Sequence, residues 1–182
     1  MQTSPKEASG VGKGAMAGPS SLAQASGVQR VMQEFKCLRK QANDSMLPQL
    51  SELTLHPPDN VFCWRFHLAE FGADVPGGAQ LLADLQLCAA RTGRTAALLL
   101  EATFPADYPD SLFFLRVVRP RCRYLTGHVT AGGSICIEAL TLSGSANGWQ
   151  RSFTVEGILQ TVIFNMLNCE SVFVRTLTAQ AA

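Results

Sequence analysis

A chain of 182 residues with 47% hydrophobic and 16% charged side chains is long enough to bury one sizeable core and too apolar to be disordered throughout. Fifteen Lys and Arg against fourteen Asp and Glu leave a net charge of +1, without the basic excess of a nucleic-acid binder, and the apolar run Ala96 to Leu100 is far short of the ~18 residues a membrane helix needs. Nucleic acid and membrane are therefore not expected as partners. The six cysteines, at 37, 63, 88, 122, 136 and 169, form no CxxC or CxxH clamp for zinc and read as free thiols of a reducing compartment, cytoplasmic or nuclear.

Residues 1–27 hold 17 Gly, Ala, Ser or Pro and almost no large side chains, so they are expected to form a disordered tail. From residue 28 the pattern changes. Val28, Val31, Met32, Phe35 and Leu38 recur at helical spacing and predict a first helix over about 28–42, with Arg30, Lys36, Arg39 and Lys40 against Glu34 as a net basic face. Leu53 and Leu55 begin an alternation that stops at the turn cluster His56-Pro57-Pro58-Asp59-Asn60, and Phe62, Trp64, Phe66 and Leu68 resume it as the second arm of a hairpin. Residues 72–78 read as loop, and Leu81, Leu82 and Leu85 as a short helix before Thr92-Gly93.

Two further strands are predicted at 96–104 and 112–118, separated by the proline-bearing segment Phe104-Pro105-Ala106-Asp107-Tyr108-Pro109-Asp110. Residues 119–154 lose periodicity and carry five glycines; an irregular stretch longer than ~12–15 residues in a compact domain is usually functional. Val155, Ile158, Leu159, Val162, Ile163 and Met166 then give a helix over 154–168. A helix, an antiparallel meander and a closing helix make an α+β domain. Its expected extent is 28–176, followed by a flexible C-terminus at 177–182.

Within the irregular stretch, Gly132-Gly133-Ser134-Ile135-Cys136-Ile137-Glu138 sets a thiol on a glycine-lined segment that a partner's backbone can approach closely. The other five cysteines lie in or beside regular elements and read as small packed hydrophobes. Composition alone leaves Cys136 open between that role and a reactive one.

The order of motifs goes further. Phe104-Pro105-Ala106-Asp107-Tyr108-Pro109, a strand, His128, Gly132 to Leu140 with its cysteine, then Trp149 before a helix, resembles a ubiquitin-conjugating enzyme over about residues 28–168. Leu82-Ala83-Asp84-Leu85-Gln86, Phe114-Leu115-Arg116-Val117-Val118 and Gly148-Trp149 look like the divergent Q-type branch, in its short form. The resemblance implies the ubiquitin-conjugating-enzyme fold: an N-terminal helix, a four-stranded antiparallel meander, a long active-site loop and a packed C-terminal helix. It also implies a transferase whose Cys136 accepts ubiquitin as a thioester from a ubiquitin-activating enzyme and passes it to a protein substrate with a ubiquitin ligase, without metal or organic cofactor.

The resemblance assigns His128 to ordering the loop. It places the ligase surface on the Tyr108-Pro109-Asp110 turn, the Gln150-Arg151-Ser152 loop and the first helix, and activating-enzyme docking on Arg30, Lys36, Arg39 and Lys40. The family's His-Pro-Asn is replaced by His128-Val129-Thr130, eight residues before the cysteine, so the usual amide donor is missing. The Ser134 hydroxyl or the N–H groups of Gly132 and Gly133 are expected to stand in for it, an oxyanion hole being defined by geometry. His56-Pro57 is read as turn chemistry only, and Glu170 as the nearest acidic candidate for gating an attacking amine. Three alternatives stand beside this reading: a catalytically weak or inactive ubiquitin-binding variant, a cysteine hydrolase using His128 or His67, and a scaffold with a packed Cys136.

Overall fold

The computed structural model describes residues 21–72, 76–122 and 128–168; the expectations for the tail before Ser21, for Cys169 and Glu170, and for the C-terminus lie outside them. The elements run α1 (Ser21–Asn43), β1 (Leu50–Leu55), β2 (Cys63–Leu68), α2 (Pro76–Thr92), β3 (Leu98–Thr103), β4 (Phe114–Arg119), a one-turn 3-10 helix (Glu138–Leu140) and α3 (Val155–Leu167). The four strands form one antiparallel sheet in sequence order, the expected meander.

Strand alternation sorts the sheet into two faces. Trp64, Phe66, Leu68, Leu98, Leu100, Ala102, Leu115 and Val117 point inward, and the same core takes in Val31, Phe35 and Leu38 of α1 and Val155, Ile158, Leu159, Val162 and Met166 of α3. A chain of ring contacts runs through it, from Phe35 to Trp64 (5.2 Å), Phe104 (4.3 Å) and Tyr108 (5.1 Å). On the outer face Arg65, Glu101 and Arg116 stand opposite one another across β2, β3 and β4. The Glu101 carboxylate takes bonds from Arg65 Nε (2.9 Å) and from Arg116 Nε (3.0 Å) and Nη2 (2.6 Å). Burial pushes its pKa up, but these bonds and charges outweigh that and hold it below the ordinary value.

Two helix starts differ from the sequence reading. Helix α1 begins at Ser21, seven residues before the periodic pattern, because the Ala, Ser and Gly of its first turns carry no apolar stripe by which to be recognised. Helix α2 begins at Pro76, inside the expected loop, and contains Gly77 and Gly78. A Cβ on Gly77 would collide with the Leu167 carbonyl, and one on Gly78 with that of Gly72. These glycines permit close packing against the end of α3, while proline is tolerated in a first turn whose N–H has no helical partner.

Candidate active site

The stretch expected to be irregular contains a small hairpin. Val129 and Ile135 form an antiparallel bridge, with Thr130 N–H donating to Ser134 O (2.9 Å) and Cys136 N–H to His128 O (2.8 Å). The turn between them closes through Gly133 N–H to Thr130 O (2.9 Å). The returning arm is bonded to β4: Val117 N–H donates to Gly133 O (2.8 Å) and Ile135 N–H to Leu115 O (2.9 Å). Gly133 has φ of 92°, and a Cβ there would overlap the Val117 carbonyl, so no other residue lets this turn lie against β4.

Ile135 points into the core, which turns Ser134 and Cys136 the other way; Cys136 is exposed. His128 is exposed, with φ of 60°, and its Nδ1 lies 3.2 Å from Cys136 O. A carbonyl only accepts, so Nδ1 carries the proton and donates. Together with Cys136 N–H donating to His128 O, the imidazole closes the pair that a returning backbone bond closes in a regular ladder. Of the expected oxyanion donors, Gly133 N–H is already taken by Thr130. The Ser134 hydroxyl and Gly132 N–H have no partner among the described residues.

Burial separates the thiols. Desolvation pushes Cys122 up to about 11, and raises Cys63 with help from the Glu101 carboxylate, so both stay protonated near neutrality. Two residues past Cys136, Glu138 has no role expected from the sequence; its exposed carboxylate accepts a bond from Ser145 Oγ (2.6 Å), tying the 3-10 turn to the following loop. Short-range sequence pattern gives no sign of this pair.

The three segments expected to meet a ligase are in contact. Trp149 Nε1 donates to Pro109 O (3.0 Å), and the exposed pair Arg151 and Asp110 lies at 2.9 Å, joining the turn to the loop that holds Gln150 and Ser152, both exposed. Tyr108 differs from expectation: its side chain is 1% exposed, packed on Phe104, Phe113 and Trp149. Its hydroxyl points at Glu34 Oε1, 3.5 Å away, and burial followed by that carboxylate raises its pKa strongly. The turn's outer surface is thus Pro109 and Asp110, while Tyr108 belongs to the core.

Glu34, expected on a solvated face, is buried. It accepts from Arg30 (2.7 Å) and from Val155 N–H (3.1 Å), the first amide of α3, whose N-cap Thr154 also accepts from Gly157 N–H (3.1 Å). Arg30 is turned inward as well, reaching Phe153 O (3.3 Å). The exposed basic face of α1 is Lys36, Arg39 and Lys40. Among the described residues no group of His, Cys, Asp and Glu is placed to hold a metal ion, and no helix is long and apolar enough to cross a membrane.

No family model matches the chain. It is 33% identical over 102 residues to ubiquitin-conjugating enzyme E2Q-like protein 1 of Mus musculus, and 41% identical over 102 residues to the Homo sapiens protein of the same name. Each match covers 56% of this chain and 54% of the relative. An E2Q-like protein of Drosophila melanogaster is 35% identical over 101 residues, 56% of this chain and 28% of that protein. The chain thus spans about half the length, or less, of the curated relatives it matches. The structure of human ubiquitin-conjugating enzyme E2 G1 superposes with a TM-score of 0.55 at 18% identity, covering 78% of this chain and 95% of that one. Over about a hundred residues this chain is similar in sequence to the E2Q-like ubiquitin-conjugating enzymes, and by architecture it has the ubiquitin-conjugating-enzyme fold.

Proposed function

We propose that the chain is a ubiquitin-conjugating enzyme that carries ubiquitin on Cys136 and delivers it with a ubiquitin ligase. The observation that carries this reading is an exposed thiol on a hairpin whose backbone is fixed to β4 on one arm and to His128 on the other. The Cys136 thiolate attacks the carbonyl of the thioester between the activating enzyme and ubiquitin. The activating enzyme's sulfur leaves as a thiolate and takes up the proton that Cys136 had given up, and ubiquitin's C-terminal carbonyl is now bonded to Cys136 Sγ. An acceptor amine then attacks that carbonyl, forms an amide and regenerates the thiol. The Ser134 hydroxyl and Gly132 N–H are the donors with capacity to spare for the oxyanion of either step.

His128 positions the nucleophile through Cys136 O. Lys36, Arg39 and Lys40 form the activating-enzyme surface, with Arg30 supporting it from within, and Pro109, Asp110, Gln150, Arg151 and Ser152 form the ligase surface. With these proposed partners, the proposed compartment is the cytoplasm or nucleus. The test is incubation with activating enzyme, ATP and ubiquitin, resolved on a gel with and without reductant. Wild type gives a reductant-sensitive adduct, Cys136→Ser a reductant-resistant ester and Cys136→Ala none; an adduct on Cys136→Ala overturns the assignment. The absence of an Asn between His128 and Cys136 favours a second reading, a variant that binds ubiquitin without accepting it. Wild type that binds ubiquitin yet forms no adduct identifies that case.

A further inference from the structure

Away from Cys136, where α2 ends and β3 begins, the structure has a half-open cleft of about 460 Å³. That volume is in the range of small-molecule sites, ~300–1,000 Å³. Its apolar lining includes Leu85, Ala97 and Val118, and three arginines, Arg94, Arg119 and Arg121, line it from two separate segments. The side chains of Arg94 and Arg119 have no ion pair or hydrogen bond among the described residues, whereas that of Arg121 reaches Ala131 O at 3.5 Å. Arginines from two segments converging on one cavity without acceptors leave donors that only a ligand or water satisfies.

One carboxylate opposes them. Glu52 sits at a bulge in β1 with φ of 52°, and its Oε2 lies 2.9 Å from His67 Nδ1, at an angle that makes no hydrogen bond. The C-terminal residues Cys88 and Thr92 of α2 also line the cleft, bringing the negative end of the helix dipole to it. Three guanidinium groups against one mostly exposed carboxylate and a helix end still leave a cationic surplus over an apolar floor. That combination selects a ligand with an anionic head and a compact apolar body.

We infer that this cavity binds a small organic anion, a phosphate or carboxylate on an apolar group, held by Arg94, Arg119 and Arg121. The inference is independent of the reading of Cys136. The test follows backbone amide NMR shifts of the whole chain during titration with phenyl phosphate at ~150 mM salt, which screens diffuse attraction between exposed charges. Saturable shifts are expected for residues 92–97 and 118–121. Binding should weaken about tenfold or more in the double variant Arg94→Gln/Arg119→Gln, whose side chains are exposed and whose melting temperature should hold. It should tighten in Glu52→Gln. Inorganic phosphate and benzyl alcohol, each lacking one half of the ligand, should both bind about tenfold more weakly than phenyl phosphate. The inference is overturned if no saturable shift appears, if either half-ligand matches phenyl phosphate, or if Lys36→Gln/Arg39→Gln on α1 weakens binding as much as the cavity double variant.

Discussion

His128 and Gly133 hold the Cys136 hairpin by different means, and substitution should separate them. The imidazole contributes one hydrogen bond to Cys136 O, so His128→Gln, whose amide can donate once, should keep most of the discharge rate onto free lysine. His128→Ala should lose about 1 kcal/mol of stability together with activity. Measuring discharge across pH 6–9 with melting temperatures decides the role. A pH-dependent step lost in His128→Gln at unchanged melting temperature would make the imidazole a general base. At Gly133 both the left-handed backbone and the Val117 carbonyl exclude a side chain. Gly133→Ala should therefore cost about 2 kcal/mol or more by denaturant unfolding and depress ubiquitin loading, either by detaching the hairpin from β4 or by straining it.

At the level of elements, the ligase surface and the core share one turn. Tyr108→Ala opens a cavity among Phe104, Phe113 and Trp149 and removes one of the donors to Glu34, so a loss of about 3–5 kcal/mol is expected, with loading and ligase-stimulated discharge falling together. Arg151→Glu, on an exposed side chain, should leave loading and melting temperature unchanged and slow only the ligase-stimulated step. A Tyr108→Ala protein that loads normally would return that ring to the surface. Much of this level was legible in the sequence. The period-2 run from Phe62 to Leu68 and the 3.6 period from Val155 to Met166 report one buried face each, and both elements form where expected. Tyr108 was not legible, because an aromatic between prolines reads as a surface turn until Glu34, 74 positions earlier in the chain, is seen beneath it. The Cys136 hairpin was hidden for a related reason: its ladder is made with β4 and with His128, and such pairing leaves no short-range period.

For the whole molecule, the sheet's outer face depends on one carboxylate. Because Glu101 is held below its ordinary value of 4.5 in the fold, the stability it contributes is fully present above that pH and is lost as pH falls through the lower folded value. Glu101→Gln should cost about 1.5–3 kcal/mol at neutral pH, the worth of charged hydrogen bonds, by leaving Arg65 and Arg116 opposed only to each other. The same variant should flatten the acid limb of the stability curve. Urea midpoints from pH 3 to 7 for both proteins check this, and an unchanged acid limb would assign the acid sensitivity to other carboxylates. The Glu101 cluster was also invisible beforehand, since the run Leu98 to Ala102 reads as uniformly apolar apart from a charge whose partners lie on neighbouring strands.

The fastening of the Gly133–Cys136 arm to β4 also bears on time and heat. Amides that belong to a sheet's bonding pattern open with the sheet, so those of Val117 and Ile135 should exchange with deuterium at the slow rates of the sheet's own strands. A reactive segment on a free loop would go slack well below the melting transition. Here capacity to form the adduct should persist on warming until the β-sheet itself gives way, with thermal inactivation and unfolding superimposing on one curve.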